Sequence, residues 1–566
     1  NPAWYAIQAL PYLMEYPYEC SEQTFSRFYA NSIATHIANS SPKIKAVFES
    51  WKINLPEALM SNLEKNQELK SLLLEETPWV MDAKSESDQK KRVGLLFDLI
   101  NMSNQLDAAL EKLTKMQTSN GGWPWFAGMP DNEYITQYIV TGFGHLKNLG
   151  ITDIKSNPKT WAMVAKAVRY TDDRIRENYE DLIKWKVDLS KDHIGWTEIQ
   201  YLYARTFFWK DVEIASKNKE AVNYFLNQSK KYWLTKGIYL QGMMALANER
   251  SGDDATAKKI MASVKDKALY SEEMGMYWRN EGFGYYWYEA PIERQALLIE
   301  AFDGVNNDLE SVEKMKIWLL KQKQTQSWST TKSTAEACYA LLLKGTNQLT
   351  DDQLVEIKIG DKVIDPKKMD NVKVEAGTGY FKTAWNGTEI TPNMGNITVT
   401  KSTAGLAWGS VYWQYFENLD KITPAATPLS MKKELFVVRV TSTGEVIEPI
   451  ASGAKIKVGD KIKVRIVLRS DRDMEYVHMK DMRASAFEPV NVLSNYKYQD
   501  GLGYYESTRD AATNFFFDYL RKGTYVFEYT MFATQKGDFS NGITTIQCMY
   551  APEFTSHSEG IRVTVE

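Results

Sequence analysis

The sequence predicts a multidomain chain, helical first and β after: an α/α toroid of helical hairpins, a short β segment and a C-terminal β-sandwich. Three observations predict it. Up to about residue 345, apolar residues recur at three- and four-residue spacing, as in 95–113 and 290–302. Between those helices an aromatic turn recurs. Beyond about residue 350 the apolar period falls to two.

The aromatic turns are Gly122-Trp123-Pro124-Trp125-Phe126, Tyr285-Tyr286-Trp287-Tyr288 and Ser327-Trp328-Ser329. Each precedes an amphipathic helix, expected at 134–146, 291–302 and 333–343. Trp287 and Trp328 lie about one helical hairpin apart, so the turns read as a degenerate helix-pair repeat, which favours a toroid or solenoid. Residues 355–359, 372–374 and 397–399 alternate as short strands between Gly, Asn and Pro turns. The stretch 422–428, with Pro424 and Pro428, reads as a linker. After it, 456–467 alternates around Gly459-Asp460 as a hairpin or bent strand, and 524–532 and 561–565 are further strands of one sandwich. The expected divisions are 1–348, 349–430 and 431–566.

Composition narrows the function. Among 566 residues, 68 Lys plus Arg face 72 Asp plus Glu, a net charge of −4 that offers no footprint for nucleic acid or an anionic membrane. No apolar run reaches the roughly 20 residues of a membrane span. The supply of aromatics, 17 Trp and 32 Tyr, suits packed cores or sugar-binding faces, with burial the plainer use. Cys20, Cys338 and Cys548 allow at most one bridge, so no disulfide framework exists. No Cys/His spacing suggests a metal, and no Gly-rich phosphate loop suggests a nucleotide, so no cofactor is expected. The chain opens at Asn1-Pro2 without a signal-peptide pattern and reads as a piece of something longer.

Cys338 sits among small apolar helix residues and Cys548 in a strand, both as core thiols. Cys20 has a different context: Tyr16-Pro17-Tyr18-Glu19-Cys20-Ser21-Glu22-Gln23. Cys and Gln three residues apart meet on one face of a helical turn. There a thiolate can attack the Gln23 side-chain carbonyl, expel ammonia and leave an internal thioester. The competing reading is a buried apolar Cys20 beside a surface Gln23. Glu22, between them, reads as a solvated carboxylate or one satisfied by backbone donors.

The run Tyr-Pro-Tyr-x-Cys-x-Glu-Gln resembles the thioester motif of the alpha-2-macroglobulin and complement family. The preceding helix, residues 120–146, Tyr201 to Phe208, Asp481-Met482-Arg483, Phe487-Glu488-Pro489 and Tyr504-Tyr505 are similar to segments of bacterial members. The resemblance spans essentially the whole chain and implies the C-terminal part of a bacterial alpha-2-macroglobulin: a thioester domain, the second half of a CUB-like domain interrupted by the toroid, and a macroglobulin-like sandwich. The incomplete CUB-like sheet is expected to leave an open edge. Two glycines of the family motif are replaced by Glu19 and Ser21, which strains the turn if either position requires positive φ.

The resemblance further implies a single-use covalent protease inhibitor in place of a turnover enzyme. Cys20 and Gln23 form the thioester, His193 transfers the acyl group, and Tyr504 and Tyr505 shield it. Its partners are target proteases and their surface nucleophiles, and its location is the periplasm or cell envelope. The bait region cut by the protease lies outside these residues. Two alternatives stay open: a toroid enzyme acting on carbohydrate or isoprenoid, and a structural envelope protein without the thioester. The acidic pairs Asp172-Asp173, Asp253-Asp254 and Asp351-Asp352 lack the spacing that a diphosphate-binding cyclase needs.

Overall fold

The computed structural model describes all residues except 1, 16–19, 41, 54–98, 152, 273, 280–290, 323–327, 329, 344–348, 350–354, 370, 371, 373, 375, 378, 403–405, 408, 414, 426, 451–454 and 550–553. The chain forms two compact units, one built from the helical region and the β segment up to Ala407, the other from the sheets that run to Glu566. The order is helical first, then sheet-rich, as the sequence predicts.

In the first unit the helices are α1 (Pro2–Glu15), α2 (Ser21–Ser40), α3 (Pro42–Ile53), α4 (Leu99–Met116), α5 (Glu133–Asn148), α6 (Pro158–Lys184) and α7 (Trp196–Thr206). They continue as α8 (Lys219–Tyr232), α9 (Ile238–Arg250), α10 (Asp254–Asp266), α11 (Pro291–Asn306), α12 (Leu309–Lys321) and α13 (Thr331–Leu342). Helices α2, α5, α7, α9, α11 and α13 each pack on the next, and α13 returns to α2, so they close into a ring. These inner helices are buried nearly all round, as α5 is from Ile135 to Leu146. Outer helices such as α6 and α10 keep an exposed polar face, whereas α1 is largely buried. Close approach of α2 to α5 depends on Gly142, where a Cβ would lie 2.2 Å from the Phe25 ring.

The aromatic turns are the joints of this repeat. Trp123 is buried and donates its indole N–H to the Leu113 carbonyl at the end of α4, while its amide donates to Thr136 Oγ1 in α5. Trp328 does the same between Leu319 and Thr334. In the middle joint this bond belongs to Trp278, whose indole donates to Val264 at 2.8 Å. The expected Trp287 falls outside the described residues.

The β segment pairs Glu356–Ile359 with Lys362–Ile364 on one side and Ile397–Thr400 on the other. Of the strand expected at 372–374, Lys373 lies outside the described residues, and Val372 donates its amide to the Met369 carbonyl in a turn. Gly360, at φ +58°, makes the two-residue hairpin turn with Asp361 that brings Lys362 back into register.

The second unit packs two antiparallel sheets face to face. One has the order Phe487–Pro489, Gly523–Ala533, Lys461–Ser470, Leu429–Thr441, Gly444–Pro449. The other has Asn495–Gln499, Leu502–Thr508, Ala512–Leu520, Met474–Met482, Thr544–Cys548, Thr555–His557. Alternation sends Ile462, Val464, Ile466 and Leu468 inward. A third sheet sets Ile561–Val565 between Lys455–Ile456 and Gly537–Gly542. The Gly459-Asp460 turn therefore makes no hairpin: Lys455–Ile456 and Lys461–Ser470 lie in different sheets, with Gly459 at φ +91° turning the chain between them.

Candidate functional site

The inner helices run in the same sense around the ring, so their N-termini gather at one end. First turns there carry Glu22, Glu133, Glu198 and Glu293. Carboxyl groups in first turns face the positive ends of the helix dipoles. Cys20 lies at this end as the residue before α2, and only 4% of it is exposed.

The thiol caps its own helix. The Gln23 amide donates to Cys20 Sγ at 3.4 Å, and the Thr24 amide donates to the Cys20 carbonyl at 2.9 Å. Ser21 opens α2 outside the positive-φ region, so its replacement of a glycine brings no backbone strain. Its amide donates to the Trp125 carbonyl at 2.9 Å and its Oγ to the Pro124 carbonyl at 2.5 Å. The first aromatic turn thus does more than pack helices: it pins the Cys20 turn. Glu19 and the preceding Tyr-Pro-Tyr fall outside the described residues. Gln23 Oε1 is buried with no hydrogen-bond partner among the described residues.

Glu22 is half-buried, and its described donors are side-chain hydroxyls, not the backbone donors that the sequence suggested. Its Oε1 accepts from Ser26 Oγ at 3.0 Å and from Thr331 Oγ1, on α13, at 2.9 Å. Its Oε2 lies 4.0 Å from Cys20 Sγ. Burial raises the Glu22 carboxyl above its ordinary range, opposed by the two hydroxyls and by Lys332. Burial also raises the Cys20 thiol, with the Gln23 amide opposing and the Glu22 charge adding. Burial would lower Lys332, but the Tyr239 and Tyr134 oxygens and the Glu293 and Glu336 carboxyls outweigh it and its pKa rises.

Deeper along the ring axis lies a polar column that the sequence reading missed. His145 Nε2 sits 2.8 Å from the Tyr203 hydroxyl, its ring stacks on Tyr339 at 3.8 Å, and Glu300 accepts from Tyr203 and Arg250. Burial pushes His145 down to about 4 and Glu336 up to about 8. The signal was present only as polar residues inside otherwise apolar inner helices.

The remaining candidates lie elsewhere. The His193 ring bonds the Asp188 carbonyl at 2.9 Å and its amide donates to Gln228. Those contacts and the ones described for Cys20 do not meet. Tyr504 and Tyr505 belong to the second unit, on the interior strand Leu502–Thr508; the turn before them is Asp500-Gly501. Tyr504 is buried in the sandwich core, 5.3 Å from the Phe527 ring, and burial pushes its phenol up to about 12. Tyr505 faces the other way, half-buried against Tyr496 at 5.0 Å. Asp172 is spent on a buried pair with Arg205 at 2.8 Å. No helix among the described residues is long and apolar enough to cross a membrane.

Comparison with known proteins adds distant relatives and one matched domain. Among curated proteins, 111 residues are 22% identical to circularly permutated Ras protein 2 of Dictyostelium discoideum, 20% of this chain and 3% of that one. The chain is similar to native alpha-2-macroglobulin of Escherichia coli spanning domain MG7 to the C-terminus, at 12% identity and TM-score 0.35, over 100% of this chain and 75% of that one. It is similar to Salmonella alpha-2-macroglobulin reacted with methylamine at 13% identity and TM-score 0.34, covering 100% of this chain and 31% of that one. It therefore spans about a third of the Salmonella chain. Residues 429–553 match the family model of the bacterial alpha-2-macroglobulin MG10 domain. That match begins at Leu429, the first residue of the first strand of the five-stranded sheet. The sandwich of the second unit thus carries a match to the MG10 domain of bacterial alpha-2-macroglobulins.

Proposed function

We propose that this chain is part of a protease inhibitor that traps its target covalently through a thioester between Cys20 and Gln23. The observation that carries the reading is the helix-capping thiol. Sγ accepts from the Gln23 backbone amide at 3.4 Å, and Gln23 Oε1 is buried without a partner among the described residues. A thiol at a helix N-terminus gains thiolate character from the dipole, and here burial opposes it, so the group is reactive only toward an acyl carbon held against it.

In this reading a protease nucleophile attacks the Gln23 acyl carbon and Cys20 leaves as the thiol, once per molecule. Direct attack is preferred to transfer through His193, whose ring is bonded to Asp188. Of the two candidate shields, Tyr505 keeps free ring surface while Tyr504 is consumed by the core. The three-part division at 348 and 430, the protease partners and a periplasmic or envelope location belong to the same proposal. Intact mass of fresh protein tests it, before and after methylamine, with Cys20→Ala as control. A mass short by one ammonia that gains one methylamine and frees one thiol supports the trap. Full sequence mass, with Cys20 titrating freely and taking up no amine, favours a structural family member.

A further inference from the structure

The geometry points to Glu22 as the proton carrier for making and breaking the Cys20–Gln23 link; the inference rests on the thioester reading above. The two carboxyl oxygens are in different use. Oε1 is saturated by Ser26 Oγ and Thr331 Oγ1, donors on two different helices that fix the carboxyl plane. Oε2 is left facing the sulfur at 4.0 Å, the outer limit of a thiol hydrogen bond, and such contacts tighten as the reacting groups close. Besides Cys20, the titratable groups facing Glu22 are Lys332 from α13 and Tyr134 and Tyr138 from α5. A carboxyl desolvated beside a lysine lies nearer neutrality than a surface glutamate, so it can take a proton and return it.

The steps balance without any outside reagent. In closure the thiol proton passes from Sγ to Oε2, Sγ bonds to the Gln23 side-chain carbon, and the carbon–nitrogen bond breaks. The leaving nitrogen takes the proton back from Oε2 and departs as ammonia. In opening, an amine bonds to that carbon, the carbon–sulfur bond breaks, and a proton from the amine passes through Oε2 to Sγ. The carboxylate is regenerated each time and nothing is oxidised or reduced.

The test compares wild type, Glu22→Gln and Glu22→Asp in the same chain, each checked for folding by circular dichroism. Glutamine keeps the bonds to Ser26 and Thr331 but cannot accept a proton; aspartate keeps the acid and shortens its reach. The readouts are the fraction of molecules short by one ammonia and the rate of methylamine uptake against pH. We expect Glu22→Gln to slow uptake by about 100-fold, the low end of general acid–base catalysis, and to flatten its pH profile. Glu22→Asp should recover part of the rate and the sloped profile. Wild-type yield, rate and pH profile in Glu22→Gln would overturn the carrier role and leave the thioester standing. A wild type without the ammonia deficit, whose free Cys20 takes up no amine, would remove the thioester reading and this one with it.

Discussion

The ring end of the helical unit and the core of the sandwich bury charge in opposite ways. In the sandwich, Lys433 and Asp481 meet at 2.7 Å, both fully buried, and tie the two sheets together. Lys433 Nζ also donates to the Met482 carbonyl at 2.6 Å, and Asp481 accepts from Thr544 Oγ1 at 2.6 Å and from Tyr529. A buried cation meets a buried anion, and the anion takes two hydroxyl donors as well. The helical unit holds a closed pair as well, Asp172 with Arg205, but its ring end gathers Glu22, Glu293, Glu300 and Glu336 around Lys332 and Arg250. Carboxyls there outnumber cations, and burial pushes Glu22, Glu293 and Glu336 upward. A closed pair holds sheets in place and has no proton to move. A ring end with surplus acid does.

The strongest way to break this contrast is Asp481→Asn. It leaves the Lys433 ammonium buried and unpaired, and removing one partner of such a pair costs about 3–5 kcal/mol. Hydrogen exchange should show the loss in residues 429–549 and not in the helices; equal loss in both units would deny that the pair belongs to the sandwich alone. Replacing both partners, with Lys433→Met and Asp481→Leu, should restore most of the stability.

The next effect is a pH dependence particular to the helical unit. Glu336 has a folded value of about 8, above its ordinary 4.5, so the folded state holds its proton more tightly. Its contribution is complete below pH 4.5 and is lost as pH rises toward 8. His145, lowered to about 4, acts with the opposite sign, gaining stability up to its ordinary 6.5. Glu133, pushed up to about 7, parallels Glu336 over a shorter range. Above pH 7 the Glu336 limb remains, with a slope of at most about 1.4 kcal/mol per pH unit. Urea unfolding at pH 7 and 8 should show the helical unit weakening, and Glu336→Gln should level it. An unchanged slope in that variant would place the titration on another group.

The sequence made the order of classes legible because period and turn chemistry are local. Trp123 and Trp328 showed the repeat, since an indole that bonds the previous helix end must recur at each joint. The middle joint was expected at Trp287, which lies outside the described residues; among those described, Trp278 makes the bond to the previous helix end. The strand expected at 372–374 lies partly outside the described residues, whereas the hairpin that Gly360-Asp361 makes upstream pairs Ile359 with Lys362. At the site, Cys20 and Gln23 could be picked out because their contact spans one turn. Glu22 could not, because its fixing bond comes from Thr331, 309 residues along the chain.

The smallest expected effect sharpens the contrast at the rim itself. Ser21→Ala removes the bond from Oγ to the Pro124 carbonyl but keeps the amide bond to Trp125 and adds a better helix former. The stability loss should be about 1 kcal/mol, since one neutral hydrogen bond is forfeited. Its consequence should be local. With the Cys20 turn held by the backbone bond alone, alkylation of Cys20 in amine-opened protein should quicken, while Cys548, buried in the sandwich sheet and bonded to the Glu475 carbonyl at 3.4 Å, should react as before. If both thiols quicken together, the substitution has loosened the whole chain. If neither does, the backbone bond suffices, and the aromatic turn holds the cysteine through Trp125 without help from the Ser21 hydroxyl.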